Sequence, residues 1–422
     1  MRIWLAKVGE PLPFDGPNTR LLRTGQLAEW LANRGDEVVF FTGTMNHTAR
    51  SLRAEQTTEV DLSPNYKIVM LKGRVYKRSR SFARHMNHKD VARSFAAIAP
   101  RLPPPDVILT AFPTIELCRA VADYAEPRSI PFIVDARDFW PDLFVELLPK
   151  PIQFLAPIVF ANAQTQTENV FGRATAVSGM TESAMQWALN KAGRAKGKFD
   201  FWYPFTYPTT PERTDDSPAD LAALKLTSLP REDVKFCFFG THSHRVNLEM
   251  FVETFRLMEQ RGARASVIIC GDGEVHNKLQ EIAAGSKKVF FPGWLNAAQI
   301  RQVMALSDIG ILPYNRPDFF MSCPNKVAEY FAGGLPILSC THGEVKKLLE
   351  SQECGFWCQP DTAAIADKIT EIIDNPDRLS HARKQATRVF AELFDQDQVF
   401  STLRARLSQL LLLKDGTKHR AA

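Results

Sequence analysis

The chain has 422 residues, a net charge of +5, 45% hydrophobic and 23% charged residues, a length for two ordinary domains and a composition that excludes collagen, coiled coil and wholesale disorder. No apolar stretch reaches the ~18 residues of a spanning helix; residues 143–161 come closest and are broken by Glu146, Lys150 and three prolines. Residues 1–100 carry 16 Lys/Arg against 9 Asp/Glu, a surplus of seven, so the remaining residues sum to −2 and the N-terminal part is the basic one. Of seven cysteines, only Cys354 and Cys358 lie close in sequence, with no CxxC and no zinc spacing. These features predict a reducing cytoplasm and no structural zinc, and with no Asp-x-Asp in a suitable loop no bound metal is expected.

Met1–Ala6, followed at once by Lys7, predicts a first β-strand and not a signal peptide. From there short β-rich runs alternate with amphipathic stretches of helical length. The runs are Ile3–Val8, Val38–Phe41, Ile68–Leu71, Val107–Phe112, Phe132–Val134 and Ala174–Val177, then Val234–Phe239, Ala265–Cys270, Val289–Phe291, Ile309–Leu312, Pro336–Ser339 and Phe356–Cys358. Nearly continuous apolar strands separated by helices predict parallel sheets covered on both faces, an α/β doubly wound class. Tyr207–Pro230, rich in proline, threonine and acids, reads as an interdomain linker. After Asp361 the pattern is helical only, ending in a helix over about Val399–Leu413 and a mobile polar tail, Lys414–Ala422. The expected divisions are 1–206, a linker 207–230, 231–395, and a C-terminal helix and tail 396–422.

Five loops carry chemistry. The segment Gly9–Arg20 joins the first strand to a helix expected to bear Arg20 and Arg23, with Gly16 and Asn18 in the loop itself. Asp135-Ala-Arg-Asp-Phe-Trp-Pro-Asp142 ends the fifth strand, where Arg137, Asp138 and Trp140 offer charge and a stacking face to a polar ring, although Trp140 equally suits core packing. In the second half Phe239-Gly-Thr-His-Ser-His-Arg-Val-Asn247 follows the first strand. Gly240 and Thr241 let backbone approach a ligand and Arg245 offers a planar cation for diphosphate, while His242 and His244 read as solvated loop histidines. Gly271-Asp-Gly-Glu274 makes a tight turn after the next strand and is not a dinucleotide fingerprint.

The strongest signal is Met321-Ser-Cys-Pro-Asn-Lys-Val-Ala-Glu-Tyr-Phe-Ala-Gly-Gly334. Pro324 suits the first helical position, Ser322 or Cys323 the cap, and Gly333 and Gly334 the end. The N–H groups of that helix start make an anion site suited to phosphate. Asn325 and Glu329 share one face, and the Glu329 oxygens suit the two hydroxyls of a ribose. An ordinary helix with a solvated glutamate fits the same pattern.

These motifs, with Val177-Ser-Gly-Met180 and Phe291-Pro-Gly293 between them, recur in one order. Together the chain resembles the retaining nucleotide-sugar glycosyltransferases of family 4, in the branch that builds bacterial surface polysaccharides. The resemblance implies the GT-B fold: two facing Rossmann-like doubly wound domains with a C-terminal helix crossing back. It implies an acceptor in the first domain, contacted by Gly16, Asn18, Arg20, Arg137 and Trp140. It implies a nucleotide sugar in the second, contacted by Gly240, Thr241, Asn247, Gly271, Gly273, Glu274, Met321, Ser322, Cys323, Pro324, Asn325 and Glu329. Glu329 matches the ribose-binding acid. Asp138 falls near the place of a catalytic His, and Arg245 and Lys326 would take up the charge of the departing diphosphate. Met321 stands where many members keep a second acid, and Asn247 where a Lys often stands.

The expected activity is transfer of a sugar from a nucleoside-diphosphate sugar to a glycan or lipid-linked acceptor, without a cofactor. The rivals are a nucleotide-sugar 2-epimerase of the same fold and a non-catalytic sugar-nucleotide-binding subunit. Residues 71–90 hold seven Lys/Arg and one acid with Tyr76, Phe82 and Met86 interleaved. That run predicts peripheral docking on the anionic inner face of the membrane rather than nucleic-acid binding, with apolar help from Phe144–Phe160.

Overall fold

The structure is a computed structural model that describes residues 1–16, 19–47, 49–78, 81–146, 148–209 and 220–418. The chain forms two compact units, one of Met1–Pro204 with Phe400–Ala422 and one of Phe205–Val399.

The first unit is built on the strands β1 (Arg2–Ala6), β2 (Glu37–Gly43), β3 (Met45–Asn46), β4 (Ser51–Leu52), β5 (Thr58–Ser63), β6 (Tyr66–Leu71), β7 (Val107–Phe112), β8 (Phe132–Ala136), β9 (Ala176–Gly179) and β10 (Phe201–Trp202). Eight of them form one sheet in the order β10-β9-β8-β7-β1-β2-β6-β5, parallel except that β5 runs antiparallel to β6. Apolar runs such as Val107–Phe112 are buried along their whole length, as strands covered by helices on both faces must be. β5 was not legible as a strand: its sequence Thr-Glu-Val-Asp-Leu-Ser is polar and largely exposed, as suits a sheet edge. Trp4 anchors the core, 4.9 Å from the Phe41 ring and stacked 5.1 Å from Tyr124.

The second unit holds β11 (Val234–Phe239), β12 (Ala265–Cys270), β13 (Val289–Gly293), β14 (Ile309–Leu312), β15 (Ile337–Ser339) and β16 (Gly355–Trp357), all parallel, in the order β13-β12-β11-β14-β15-β16. Core clusters cover both faces, one around Phe236, Phe251 and Phe255, the other around Tyr330, Phe331 and Leu312.

Four boundaries differ from the sequence reading. The helix after the Gly9 loop begins at Arg23, so Arg20 lies in the loop before it. Residues 220–230 are not a free linker, because Leu224 and Leu226 are buried in the second unit's core; 210–219, including Asp215 and Asp216, lie outside the described residues. Tyr207 is pinned as well, donating its N–H to Phe394 and accepting that of Gln396. The last helix spans Gln396–Lys418, so Lys414–Lys418 continue it rather than form a tail; 419–422 lie outside the described residues. From Phe400 on this helix belongs to the first unit, where Phe400 meets Trp30 at 5.8 Å and Arg404 donates to Asp36 at 2.6 and 3.0 Å. All seven cysteines are free and buried. The Cys340 and Cys358 sulfurs, eighteen residues apart in sequence, lie 3.7 Å from one another.

Candidate functional site

In the six-stranded sheet, β11 has β12 on one side and β14 on the other. The crevice at their carboxyl ends is therefore a topological switch point, the place where open α/β sheets take ligands. The loops that leave these strands are laced by backbone hydrogen bonds. Gly240 donates to the Cys270 carbonyl at 3.0 Å, His242 to that of Asp272 at 2.9 Å, Gly271 to that of Gly293 at 2.7 Å, and Asn247 to that of Pro313 at 2.9 Å. Such close passage needs glycine. Gly271 and Gly273 have φ of +122° and +153°. A Cβ on Gly271 would stand 2.0 Å from the Gly240 carbonyl oxygen, and one on Gly273 would stand 2.4 Å from that of His242.

The helix Asn325–Ala332 starts beside these loops. Its cap is Pro324, with no side-chain hydrogen bond. This corrects the expectation that Ser322 or Cys323 caps it: the Ser322 hydroxyl donates to the Phe319 carbonyl at 3.1 Å, and Cys323 is buried. The first intrahelical donor is the Val327 N–H, which reaches the Pro324 carbonyl at 2.9 Å. The N–H groups of Asn325 and Lys326 precede it at the positive end of the helix dipole. The Asn325 Oδ1 atom is buried and has no hydrogen-bond partner among the described residues. The Lys326 ammonium reaches back over Gly240, where an added Cβ would come within 2.7 Å of it. Glu329, one turn further on, is only 6% exposed, so it does not sit on a solvated helix face.

Arg245 is exposed and its guanidinium donates to Asp318 at 2.6 Å, while Arg316 donates to the other oxygen at 3.1 Å. Asp318 lies on the turn Pro317–Phe319 just before the helix start. Arg245 thus stands at the site with its charge already engaged, and Asp318 and Arg316 are site residues that no motif had marked. Thr241, Gly273 and Glu274 are exposed, and Met321, Ser322 and Asn247 are half-buried. The reading of His242 as a solvated loop residue is wrong. It is wholly buried, with its Nδ1 3.0 Å from that of His276 and the two rings stacked at 5.1 Å. Burial, only partly offset by the Cys270 backbone, holds it below the ordinary imidazole range. His244 is exposed, as expected.

Residues 233–375 match the family model described as glycosyl transferases group 1. The whole chain is similar in structure to sucrose-phosphate synthase from Thermosynechococcus elongatus, at TM-score 0.70 and 15% identity over 98% of this chain and 99% of that one. It is also similar to Anabaena HepE in complex with UDP-glucose, at TM-score 0.61 and 14% identity over 97% and 99%. A third likeness is to WaaG, a glycosyltransferase involved in lipopolysaccharide biosynthesis, at TM-score 0.61 and 12% identity over 96% and 98%. No curated protein sequence matches the chain significantly. The fold is GT-B.

In this GT-B chain the first unit has its own switch point, between β1 and β7. Arg137, expected to face an acceptor, is turned inward instead. Its guanidinium donates at 2.7 Å to both Asp135 and Glu10 and at 2.8 Å to the Thr24 hydroxyl, and all three charged groups are almost wholly buried. Burial alone would raise the Asp135 carboxyl, but Arg23 and Arg137 hold it down to about 2. The network ties the loop after β1 to the loop after β8. Asp138 is half-buried and accepts the Phe139 N–H at 2.9 Å. Trp140 follows its packing reading: the ring lies 5.3 Å from the Arg84 guanidinium, 6.3 Å from His88 and 4.8 Å from Phe144. Gly16 is half-buried and Arg20 exposed, and Asn18 lies outside the described residues.

The basic stretch is less uniform than its sequence. Tyr76 is buried, its hydroxyl 2.8 Å from His47, so it faces the interior and not a lipid surface. Arg74 pairs with Asp90 at 2.6 Å. Lys72, Lys77 and Arg78 are exposed, and Arg80 lies outside the described residues. Phe82, Phe154, Ile158 and Val159 are 78%, 74%, 77% and 65% exposed. No helix among the described residues is long and apolar enough to cross a membrane. No group of three or more His, Cys, Asp or Glu among them is placed to hold a metal ion.

Proposed function

We propose that the chain is a retaining glycosyltransferase of family 4, which moves a sugar from a nucleoside-diphosphate sugar to an acceptor in polysaccharide assembly. One observation carries this reading: Gly240, Lys326 and the uncapped start of the helix Asn325–Ala332 come together at the second unit's switch point. A diphosphate laid across that point meets free backbone N–H groups, the helix dipole and an ammonium, and Glu329 is one turn away for the ribose. Catalysis then consists of holding the donor and stabilising the departing diphosphate as the acceptor hydroxyl enters on the same face. Lys326 takes up the leaving charge, with Arg245 assisting once its bond to Asp318 is exchanged for the ligand. Met321, apolar where relatives keep an acid, favours a donor with fewer hydroxyls there, such as a deoxy or acetamido sugar. Incubation with a panel of sugar nucleotides separates the readings. Diphosphate release on acceptor addition supports transfer, a new sugar isomer alone supports an epimerase, and binding without turnover supports a non-catalytic subunit.

The first unit would take the acceptor, and we infer that it does so on the inner face of an anionic membrane. The contacts Arg84–Trp140–Phe144–Phe160 support this by linking the basic stretch to the exposed apolar Phe154, Ile158 and Val159. Each basic residue near such a surface is worth about 1 kcal/mol, so three exposed cations alone anchor weakly and the apolar contact must supply the rest.

A further inference from the structure

His242 and His276 meet where the two glycine loops of the second unit's crevice cross. His242 is the third residue after β11, and His276 opens the helix His276–Ile282 beyond the turn Gly271–Glu274. That turn wraps the His242 backbone: its N–H donates to the Asp272 carbonyl at 2.9 Å, and its carbonyl accepts the Val275 N–H at 3.1 Å. The side chains add a third link, Nδ1 to Nδ1 at 3.0 Å. In a neutral pair one Nδ1 carries the hydrogen and the other accepts it. The other ring nitrogen of His242, Nε2, is buried without a hydrogen-bond partner among the described residues, and a Cβ on Gly271 would stand 3.3 Å from it. Both nitrogens of this wholly buried ring thus face the neighbouring loop, so the ring ties the loops together.

The surroundings suit an uncharged pair. The Phe238 ring lies 6.2 Å from His242, and the Phe291 ring stands edge-on 5.7 Å from His276. The charged groups on the packed elements are Asp272, which accepts the Gly273 N–H at 2.7 Å, the exposed Glu274, and Lys326, whose ammonium is 5.3 Å from the Phe238 ring. Lys278, on the helix of His276, is paired with Glu249 at 2.5 Å. Burial is the main reason His242 lies below the ordinary imidazole range; the Cys270 backbone opposes it, His276 adds to it and Asp272 opposes it. One added proton leaves the Nδ1 contact in place as an imidazolium–imidazole bond. A second sets two N–H donors and two positive charges against each other at that distance.

We propose that the His242–His276 pair is a latch: with at most one added proton it holds the loop after β11 closed on the turn after β12, and double protonation releases that loop and with it the sugar nucleotide. The inference rests on the glycosyltransferase reading above and adds to that donor site a positioning pair and its pH dependence. Gly240, over which Lys326 lies, and Arg245 ride on the released loop. In the open loop each imidazole returns toward its ordinary value of about 6.5, so the open state binds more protons than the latched one and donor affinity falls as pH drops below that value.

The test uses the full chain and whichever of UDP-glucose, GDP-mannose and dTDP-glucose binds most tightly at pH 7.5; their diphosphates stay fully ionised from pH 8 to 5.5. Calorimetry on the wild type should show constant affinity down to about pH 6.5 and then a loss of up to about tenfold per pH unit, the slope for one linked proton. His276→Gln can donate to or accept from either state of His242 and carries no charge, so it should bind equally at both ends of the range. His276→Phe keeps the stacking without the hydrogen bond and should bind about five- to tenfold more weakly at every pH. Hydrogen exchange without ligand, corrected for its intrinsic pH dependence, should show residues 240–247 and 271–276 losing protection at pH 5.5 in the wild type and keeping it in His276→Gln. Wild-type affinity that is flat with pH or rises toward acid, or an acid loss that persists in His276→Gln, overturns the latch and leaves the donor site standing. Loss of protection spread over the whole unit overturns it as well. If none of the three sugar nucleotides binds at any pH, the donor reading is lost and the exchange result alone decides the latch.

Discussion

The Lys326 ammonium lies directly over the backbone of Gly240, so close that a Cβ there would come within 2.7 Å of it. The contact joins the loop after β11 to the start of the helix that follows β14, across the switch point of the sheet. Gly240 also has φ of +146°, a region that side chains avoid at a cost of about 1–3 kcal/mol. Gly240→Ala should therefore lower unfolding stability by that order and displace Lys326, weakening sugar-nucleotide binding. Lys326→Gln should weaken binding with little change in the unfolding temperature. Calorimetry and thermal unfolding on both variants check the pair.

Arg245 and Asp318 give a different expectation. Arg245 is 62% exposed on its side chain and already paired, so exchanging that pair for a ligand brings little, on the order of 1 kcal/mol or less. Arg245→Ala should cost donor affinity only a few-fold. Asp318→Asn should improve binding of a nucleoside diphosphate, because it releases Arg245 and Arg316 and removes a negative charge that competes with the ligand. Weaker binding in Asp318→Asn would show that the carboxylate orients Arg245 rather than occupying it.

The last helix is fastened to the first unit by Arg404, which donates to the buried Asp36, and the N-terminal ammonium donates to the same carboxylate at 2.9 Å. Burial alone would raise the Asp36 carboxyl, but these two donors and their charges bring it below the ordinary range. A depressed carboxyl stabilises the fold fully above its unfolded value, about 3.9, and loses that stabilisation as pH falls through the lower folded value. Asp36→Asn should be less stable at pH 7 by about 1–3 kcal/mol, and the difference should shrink below about pH 4. Denaturant unfolding of both forms across pH 2–7 measures it.

Vesicles test the membrane reading. The chain should bind vesicles containing anionic lipid at low salt and leave them as salt rises. Lys77→Gln with Arg78→Gln should reduce the salt-sensitive part, and Phe154→Ser with Ile158→Ser the salt-insensitive part. Wild-type protein that ignores such vesicles at low salt would leave the basic stretch as a solvated face.

Most of the architecture was legible because parallel strands buried on both faces read as continuous apolar runs. Val107–Phe112, Val234–Phe239, Ala265–Cys270 and Ile309–Leu312 have the same ends in sequence and structure. β5 was not, since a polar edge strand lacks that run, and Leu224 and Leu226 were masked by the prolines around them. The donor site was legible where glycine and proline impose backbone geometry, at Gly240, Gly271, Gly273 and Pro324. It was not legible where distant side chains meet: Arg137 looked like an acceptor ligand until Glu10 stood beside it, and His242 looked solvated until His276 stacked on it.

The central claim is that the start of the helix Asn325–Ala332, with Lys326 and Glu329, holds a nucleoside-diphosphate sugar. It is tested most directly by titrating uridine, guanosine and thymidine diphosphate sugars into the wild-type chain and into Lys326→Gln and Glu329→Ala by calorimetry. At least one should bind the wild type, and each variant should lose about 2–4 kcal/mol of that binding while keeping its unfolding temperature. A wild-type chain that binds none of them, or variants that bind as tightly as the wild type, would contradict the account.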